Sequence, residues 1–140
     1  MQYTERFTEG MELLGVINPA SHSTEQNTGD MSFENIDRAV VIIHCGVIGG
    51  DLDVDIEQAI SSGGTRKSFD SGGKDLTIVN ADDNTVSVIE IRPEEFDVAN
   101  KYSFLNVEAT PGAASIFSVQ VWGAVKYKPA ATTLINSVTD

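Results

Sequence analysis

Acidic residues at every second position form the part of this sequence that most resembles a chemical site. They are Asp51, Asp53, Asp55 and Glu57. A helix-loop-helix calcium site needs glycine at loop position six and a bidentate acid at position twelve, where counting from Asp51 gives Ile56 and Ser62. On a strand, alternate residues share one face and stand about 6.5 to 7 Å apart, which is too open for one ion. The spacing therefore predicts an acidic strip facing solvent or a partner, and no metal site.

Nucleophilic catalysis needs a base beside the nucleophile, and the imidazole bases here are His22 and His44. His44 precedes Cys45, and neighbours on a strand point to opposite faces, so these two cannot form a dyad. His22 lies between two serines, which is no evidence for a triad. The sequence singles out no pair of carboxylates for glycoside hydrolysis, and its glycine-rich turns lack a phosphate-binding motif. We predict a protein that is not an enzyme, with no catalytic residue and no cofactor.

Composition and charge restrict the possible partners. The 140 residues suit a single domain with one core. The formal charge of −12 disfavours nucleic acid and anionic membranes, because binding a phosphate backbone requires clustered Lys and Arg. Cys45 lies in an apolar run and is predicted to be a small buried hydrophobe. We see no signal peptide and no membrane-spanning run, so we expect a soluble protein made in the cytosol.

Alternating or β-branched apolar residues, separated by turn-forming clusters, predict a mostly β chain. The predicted strands are residues 38–48, 51–57, 66–69, 76–79, 86–92, 102–109 and 116–127. Residues 38–48 have apolar side chains at consecutive positions, which predicts a central strand, and Gly49 and Gly50 are expected to join it to 51–57 as a hairpin. Asn18 and Pro19 are expected to end an earlier run, and 21–29 to form a loop or arm.

These elements predict an all-β, single-domain β-sandwich, of the jelly-roll type, with extended terminal segments. Residues 1–30 are assigned to an N-terminal strand and arm, 31–128 to the sandwich core and 129–140 to a C-terminal tail. Residues 93–97 begin with proline and carry two acids, which predicts a helical turn that crosses from one sheet to the other.

Apolar side chains in the first and last segments are the candidate partner-binding residues. They are Phe7, Leu13, Leu14, Trp122 and Tyr127. Trp122 alternates with Gln120 on the last strand, and it belongs either in the core or at an interface as an aromatic anchor. Near the end of the chain, Leu134, Ile135 and Val138 suit an arm that crosses a neighbouring subunit or an edge strand of the same domain.

Two stretches resemble the small virion proteins of tailed phages that decorate the capsid, known as cement proteins. One stretch runs from Ile17-Asn18-Pro19-Ala20-Ser21 through residues 30–43 to Gly46-Val47-Ile48. The other is residues 88–97 followed by Lys101-Tyr102. The likeness is a pattern of strands and turns over residues 17–109.

The resemblance implies a jelly-roll domain on the outside of an icosahedral shell, which binds the major capsid protein. It also implies self-association, as a dimer at capsid symmetry axes, and location on the capsid exterior. Neither catalytic nor contact residues follow from it. The alternatives are a carbohydrate-binding module that uses Trp122, Tyr102 or Tyr127, an adaptor or tail module of a virion, and a glycoside-acting enzyme.

Overall fold

The computed structural model describes residues 6–69 and 73–127. A four-residue helix, α1 (Phe7–Gly10), precedes the strands. They are β1 (Met11–His22), β2 (Gln26–Asn27), β3 (Met31–Ser32), β4 (Ile36–Ile48), β5 (Leu52–Ala59), β6 (Lys67–Ser68), β7 (Leu76–Ile78), β8 (Val86–Ile91), β9 (Phe104–Pro111) and β10 (Ser115–Val125). Two 3₁₀ turns, Pro93–Glu95 and Val98–Asn100, join β8 to β9.

Two antiparallel sheets pack against each other, so the all-β sandwich prediction is confirmed. Sheet A has the strand order β1-β10-β4-β8. Sheet B has the order β2-β9-β5-β6, with β3 also paired to β9 and β7 to β5. Between the sheets lies one core of aliphatic and aromatic side chains. Since β1 is hydrogen-bonded along β10, the N-terminal strand is an integral part of sheet A.

In both sheets, buried and exposed side chains alternate as the sequence predicts. On β5, Leu52, Val54 and Ile56 are buried while the acids between them face outward. Strand β4 lies between β10 and β8, which confirms its predicted central place. Cys45 on β4 is buried in the core, as predicted, and burial raises the pKa of its thiol.

The predicted hairpin at Gly49 and Gly50 is wrong, because β4 belongs to sheet A and β5 to sheet B. The two glycines instead cross from one sheet to the other against the β9–β10 connection. A Cβ atom at Gly49 would lie 2.5 Å from the Ala114 carbonyl oxygen, and one at Gly50 would lie 2.9 Å from the Ala113 nitrogen. Two crossing segments pack closely here, and only glycine leaves room for both backbones.

The prediction that Pro19 ends the first strand is also wrong. Strand β1 continues to His22, through a register shift between Ile17 and Ala20. Proline is tolerated because β1 is an edge strand of sheet A, where one side of the backbone needs no ladder partner. The predicted arm at 21–29 therefore begins inside β1 and includes β2.

The predicted helical crossing at residues 93–97 is confirmed, since the 3₁₀ turns carry the chain from β8 in sheet A to β9 in sheet B. A buried amide holds this crossing in place. The Gln58 side chain accepts from the Asp97 backbone N–H at 2.8 Å and donates to the Ser68 carbonyl oxygen at 3.2 Å. Within the described ranges, no helix is long and apolar enough to cross a membrane.

Candidate binding surface

The outer face of sheet A carries an array of exposed and half-buried apolar side chains, here called the apolar face. It is formed by Phe7, Leu13, Val16, Val40, Ile42, Val86, Val88 and Trp122. Alternation fixes the direction of these side chains, because their strand neighbours, such as Val41 and Val121, are fully buried in the core. Contiguous apolar surface of this kind is typical of protein-binding sites.

Strand register places the apolar face in cross-strand rows. In one row, Leu13 on β1 lies opposite Trp122 on β10, which lies opposite Val40 on β4. The next row joins Val16 to Gln120, then to Ile42 and Val88. Side chains directly opposite on one face of a sheet have Cβ atoms about 4.5 to 5.5 Å apart and contact one another. The apolar surface therefore extends across all four strands.

Trp122 and Phe7 form an aromatic pair at one end of the apolar face. Their ring centroids are 5.2 Å apart and the rings meet edge to face, a favourable arrangement of ring quadrupoles. The indole N–H of Trp122 donates to the Gln120 side chain at 2.9 Å, so its polar atom is satisfied. Trp122 thus lies on the outer face and not in the core, and Phe7 beside it is 49% exposed.

The structure brings three of the five predicted partner-binding residues together. Phe7, Leu13 and Trp122 share the apolar face. Leu14 packs against the core, where one of its methyl groups lies under Gly123. Tyr127 follows the end of β10 and is 74% exposed. Predicted arm residues Leu134, Ile135 and Val138 lie outside the described residues.

Sequence reasoning missed the other apolar face residues, Val16, Val40, Ile42, Val86 and Val88. A signal for two of them was present, since β4 has apolar residues at consecutive positions and one of its faces must point away from the facing sheet. The sequence does not tell whether a helix, another chain segment or solvent covers that second face. Val86 and Val88 are 59% and 56% exposed.

Charge is scarce on sheet A. Its four strands carry only four Asp, Glu, Lys or Arg residues, namely Glu12, Asp37, Arg38 and Glu90. Most of the acidic residues that give the chain its charge of −12 therefore lie elsewhere. A partner that approaches the apolar face meets less electrostatic repulsion than it would at other surfaces.

The outer face of sheet B carries three of the four acids of the predicted strip together with an acid of β9, here called the acidic face; the fourth, Asp51, precedes β5 and accepts from the Asn80 backbone N–H. Its members are Asp53, Asp55 and Glu57 on β5 and Glu108 on β9. Asp55 lies directly opposite Glu108. Partial burial and then repulsion from neighbouring acids, including Glu25, raise the pKa of Asp55, and burial raises the pKa of Glu57 and Glu108 in the same way. The acidic face thus destabilises the fold at neutral pH.

A partly buried ion pair lies beside the acidic face. The Arg66 Nε atom donates to the Asp30 carboxylate at 2.9 Å, and the Gly63 backbone N–H donates to the same carboxylate at 2.7 Å. Burial opposes ionisation of Asp30, but these hydrogen bonds outweigh it and lower its pKa. The Asn106 side-chain amide also faces Asp30, at 3.5 Å. Asp30 therefore stabilises the fold at neutral pH, whereas the acids of the acidic face destabilise it.

The candidate catalytic groups are not assembled into a site in the described part of the chain. The His22 ring packs on Phe117, and its Nε2 lies 2.8 Å from the Asn18 carbonyl oxygen. His44 is exposed on sheet A while Cys45 points into the core, as predicted. Ser118 lies opposite His44, and no hydrogen bond joins their side chains. Across residues 6–69 and 73–127, no three His, Cys, Asp or Glu side chains are arranged to hold a metal ion.

The aromatic residues considered for sugar binding are used differently. The Lys67 ammonium lies 4.4 Å from the centre of the Tyr102 ring, which packs against the core. The Tyr102 ring is therefore in contact with Lys67 and the core. The Trp122 ring is half-buried, and the Tyr127 ring is exposed.

Comparison of the sequence with family models and with curated proteins gives no relative from which a function could be carried over. No protein-family model matches the chain, and no curated protein matches its sequence. The surfaces described above are therefore the basis for a functional proposal.

Proposed function

We propose that this protein is a structural, non-enzymatic virion protein that binds the outside of a phage capsid through its apolar face. The apolar face is the observation that carries the proposal. A chain of charge −12 exposes aliphatic and aromatic side chains on all four strands of sheet A, interrupted by Gln120, His44 and Glu90, and Trp122 with Phe7 provides the kind of aromatic anchor found at interface hot spots. The phage capsid as partner comes from the sequence resemblance alone.

The jelly-roll topology is part of the proposal. Its support is the way in which successive long strands alternate between the sheets: β4, β8 and β10 belong to sheet A, while β5 and β9 belong to sheet B. A rigid sandwich suits a cement protein, because a face made of strands holds its side chains in a fixed arrangement. Repetition over a lattice then adds many modest interfaces into a large stabilisation of the shell.

The direct test is co-sedimentation with capsids that lack their decoration protein, from the phage whose genome encodes this chain. We expect the protein to sediment with these capsids and to raise the temperature at which they rupture. Replacement of the aromatic anchor, Trp122→Ala, should weaken binding at least tenfold, about 1.4 kcal/mol or more. Thr77→Ala on sheet B is the matched control and should bind as the unaltered protein does.

Other results would point elsewhere. If the unaltered protein does not associate with capsids, the proposed function is wrong. If Trp122→Ala binds normally, the apolar face is not the contact surface. Saturable binding to an immobilised glycan panel, lost in Trp122→Ala, would support the carbohydrate-binding alternative. Hydrolysis of a glycoside that is lost in Asp55→Asn would support an enzyme. Analytical ultracentrifugation tests the proposed dimer.

A further inference from the structure

The edge of sheet A formed by β8 differs from the other sheet edges in the described residues. At the opposite edge, β1 contains Pro19 and two register shifts, features that block pairing with a further strand. Sheet B is bounded by strands of only two or three residues. Strand β8 has six residues in regular register with β4, without proline and with a single charge, at Glu90. It therefore lacks the features that protect a sheet edge from further pairing.

The register identifies which backbone groups of β8 point away from β4. The Cys45 N–H donates to the Thr85 carbonyl oxygen at 2.9 Å, at the start of the ladder. In an antiparallel ladder, residues alternate between facing the partner strand and facing away from it. The groups on the open edge are therefore the N–H and C=O of Val86, Val88 and Glu90. Within the described residues, none of these six groups has a hydrogen-bond partner.

The side chains along this edge favour a further strand. Val86 and Val88 are 59% and 56% exposed and belong to the apolar face. A regular strand with β-branched side chains and free backbone groups is a template on which another strand can pair. A strand added here extends sheet A sideways, and it continues the apolar face without covering it.

The charges at the two ends of β8 are opposite in sign. Asp82 and Asp83 precede the strand, and Arg92 follows its last residue. Asp82 and Arg92 are both exposed. The chain leaves sheet A at Pro93, and the Glu95 carboxylate beyond it is paired with Lys74 at 2.6 Å. An antiparallel copy of the same strand therefore brings a basic end to an acidic end, and does so twice.

We propose that β8 pairs antiparallel with β8 of a second copy of this chain, about a two-fold axis at Val88. In this register, Val88 lies opposite Val88 of the second copy, Val86 opposite Glu90, and Arg92 opposite Asn84, next to the acidic residues before the strand. All the free N–H and C=O groups of both edges then form hydrogen bonds with each other.

Charge selects this register among the possible ones. The two Glu90 side chains lie four residues apart along the strands, about 13 Å. A shift in one direction brings the two Glu90 carboxylates together, and a shift in the other places Glu90 beside Asp82 and Asp83. Both shifts gather like charges, which is unfavourable for directly opposed side chains.

The pairing also suits a chain of charge −12, because the strands of sheet A carry few of its charges. It joins the two sheets A into one sheet of eight strands, four from each copy. The contact is one strand wide, so we expect a weak dimer that dissociates in the micromolar range. This inference gives a surface to the self-association included in the proposed function, but it rests on the strand edge and needs no capsid.

Sedimentation velocity of the purified full chain without capsids, from low micromolar to millimolar concentration, tests the pairing. We expect a monomer–dimer equilibrium. Arg92→Asp and Asp82→Arg each place like charges at both ends of the contact, and each should weaken the dimer about tenfold or more. An equimolar mixture of the two variants has opposite charges at both ends and should restore dimer formation. A protein that stays monomeric at millimolar concentration, or a mixture that does not recover, would overturn the proposal.

Glu25→Arg is the matched control for Asp82→Arg, since it changes the net charge equally at an exposed position near the acidic face. It should not weaken the dimer, and it should not restore dimer formation when mixed with Arg92→Asp. Rescue of Arg92→Asp by Glu25→Arg would mean that net charge governs association, against the proposed register. Because no capsid is present, these results are independent of the co-sedimentation test.

Amide hydrogen exchange measured by NMR locates the contact. At concentrations where the dimer forms, the amides of Val86, Val88 and Glu90 should be protected, and they should exchange about tenfold faster or more in the monomer. The amides of Ser87 and Ile89, bonded to β4, should stay protected in both states and show that the sandwich is folded. Equal protection of Val88 in monomer and dimer would overturn the proposal, because the edge would then be covered within one chain.

Val88→Pro removes the N–H at the two-fold axis without removing a hydrogen bond to β4, so it should abolish the dimer while the sandwich stays folded. Val88→Thr keeps this N–H and a β-branched side chain, and should form the dimer as the unaltered chain does. Undiminished association of Val88→Pro would place the contact on another surface and contradict the proposal.

Discussion

The outer faces of the two sheets differ although the sheets share one core. The face of sheet A exposes aliphatic and aromatic side chains in regular rows, with few charges in its strands. The face of sheet B presents Asp53, Asp55, Glu57 and Glu108; partial burial first, and then repulsion from neighbouring acids, raises the pKa of Asp55, Glu57 and Glu108. Neither arrangement is the most stable choice for an isolated domain, since one leaves apolar area in water and the other gathers like charges. Under the proposed function, sheet A would face the partner and sheet B would face solvent.

A large effect is expected at Asp30, which is paired with Arg66 beside sheet B. Asp30→Ala leaves the Arg66 guanidinium and the Gly63 N–H without their acceptor, and should cost about 2 to 3 kcal/mol at neutral pH. Because folding lowers the pKa of Asp30, its contribution is present above the unfolded pKa and is lost as pH falls through the folded pKa. Urea denaturation at several pH values measures both effects.

Asp82→Ala is the matched control for that substitution, since Asp82 is exposed and no described side-chain bond is lost. An equal loss of stability in both variants would mean that the Asp30 network does not hold the edge of sheet B together.

A smaller effect is expected from removing the aromatic anchor of the apolar face. Because Trp122 is only half-buried, Trp122→Ala should lower the free energy of unfolding by about 1 to 2 kcal/mol. Phe117→Ala, on the same strand but inside the core, should cost about 3 to 5 kcal/mol. Thermal and urea denaturation give the two values. Similar losses at both positions would remove the distinction between the inner and outer faces of β10.

Neutralising the acidic face should stabilise the protein slightly. Folding raises the pKa of Glu57, so its charge opposes folding at neutral pH and this penalty disappears as pH falls below the unfolded pKa. Glu57→Gln should therefore stabilise by a few tenths to about 1 kcal/mol at pH 7, since solvent screens partly exposed charges. At low pH the two proteins should unfold alike. A loss of stability at pH 7 would show that Glu57 makes a favourable contact.

The smallest effect is expected where the apolar face is most exposed. Val88→Thr keeps a β-branched shape and should change stability by less than about 0.5 kcal/mol. It should nevertheless reduce retention on a phenyl column, because an exposed methyl group is replaced by a hydroxyl. If Val88→Thr instead costs more than about 1 kcal/mol, this side chain is already covered in the free protein. The apolar face would then be less exposed than the cross-strand rows indicate, and would differ less from the acidic face.

Much of the fold is predictable because strand periodicity is local. The alternation of Asp53 and Asp55 with Val54 and Ile56 fixes which side of β5 is buried, and the structure agrees. Pairing is not local: two strong strands around Gly49 and Gly50 read as a hairpin, yet each belongs to a different sheet. The close approach of the Ala113–Ala114 backbone, 63 to 65 residues further along the chain, requires these glycines. No nearby residue reveals that contact.

The apolar face, too, was predictable from the sequence only in part. Phe7, Leu13 and Trp122 stand out in the sequence as apolar residues near the two ends of the chain, and their meeting on one face follows from the β1–β10 pairing. Val40 and Ile42 are apolar residues in an apolar strand, so the sequence assigns them to a core. They lie outside because sheet B covers only one side of β4.

By itself, the sequence determined that this is an acidic β-rich domain, where the strands from residue 36 onward form, and that the acids of β5 share a face. Those properties depend on composition and on the two-residue period of a strand, which act over a few residues. Tertiary structure alone decided which strands became neighbours and which side of sheet A stayed exposed. A strand with two apolar sides can bury either one, and the choice depends on where the second sheet packs.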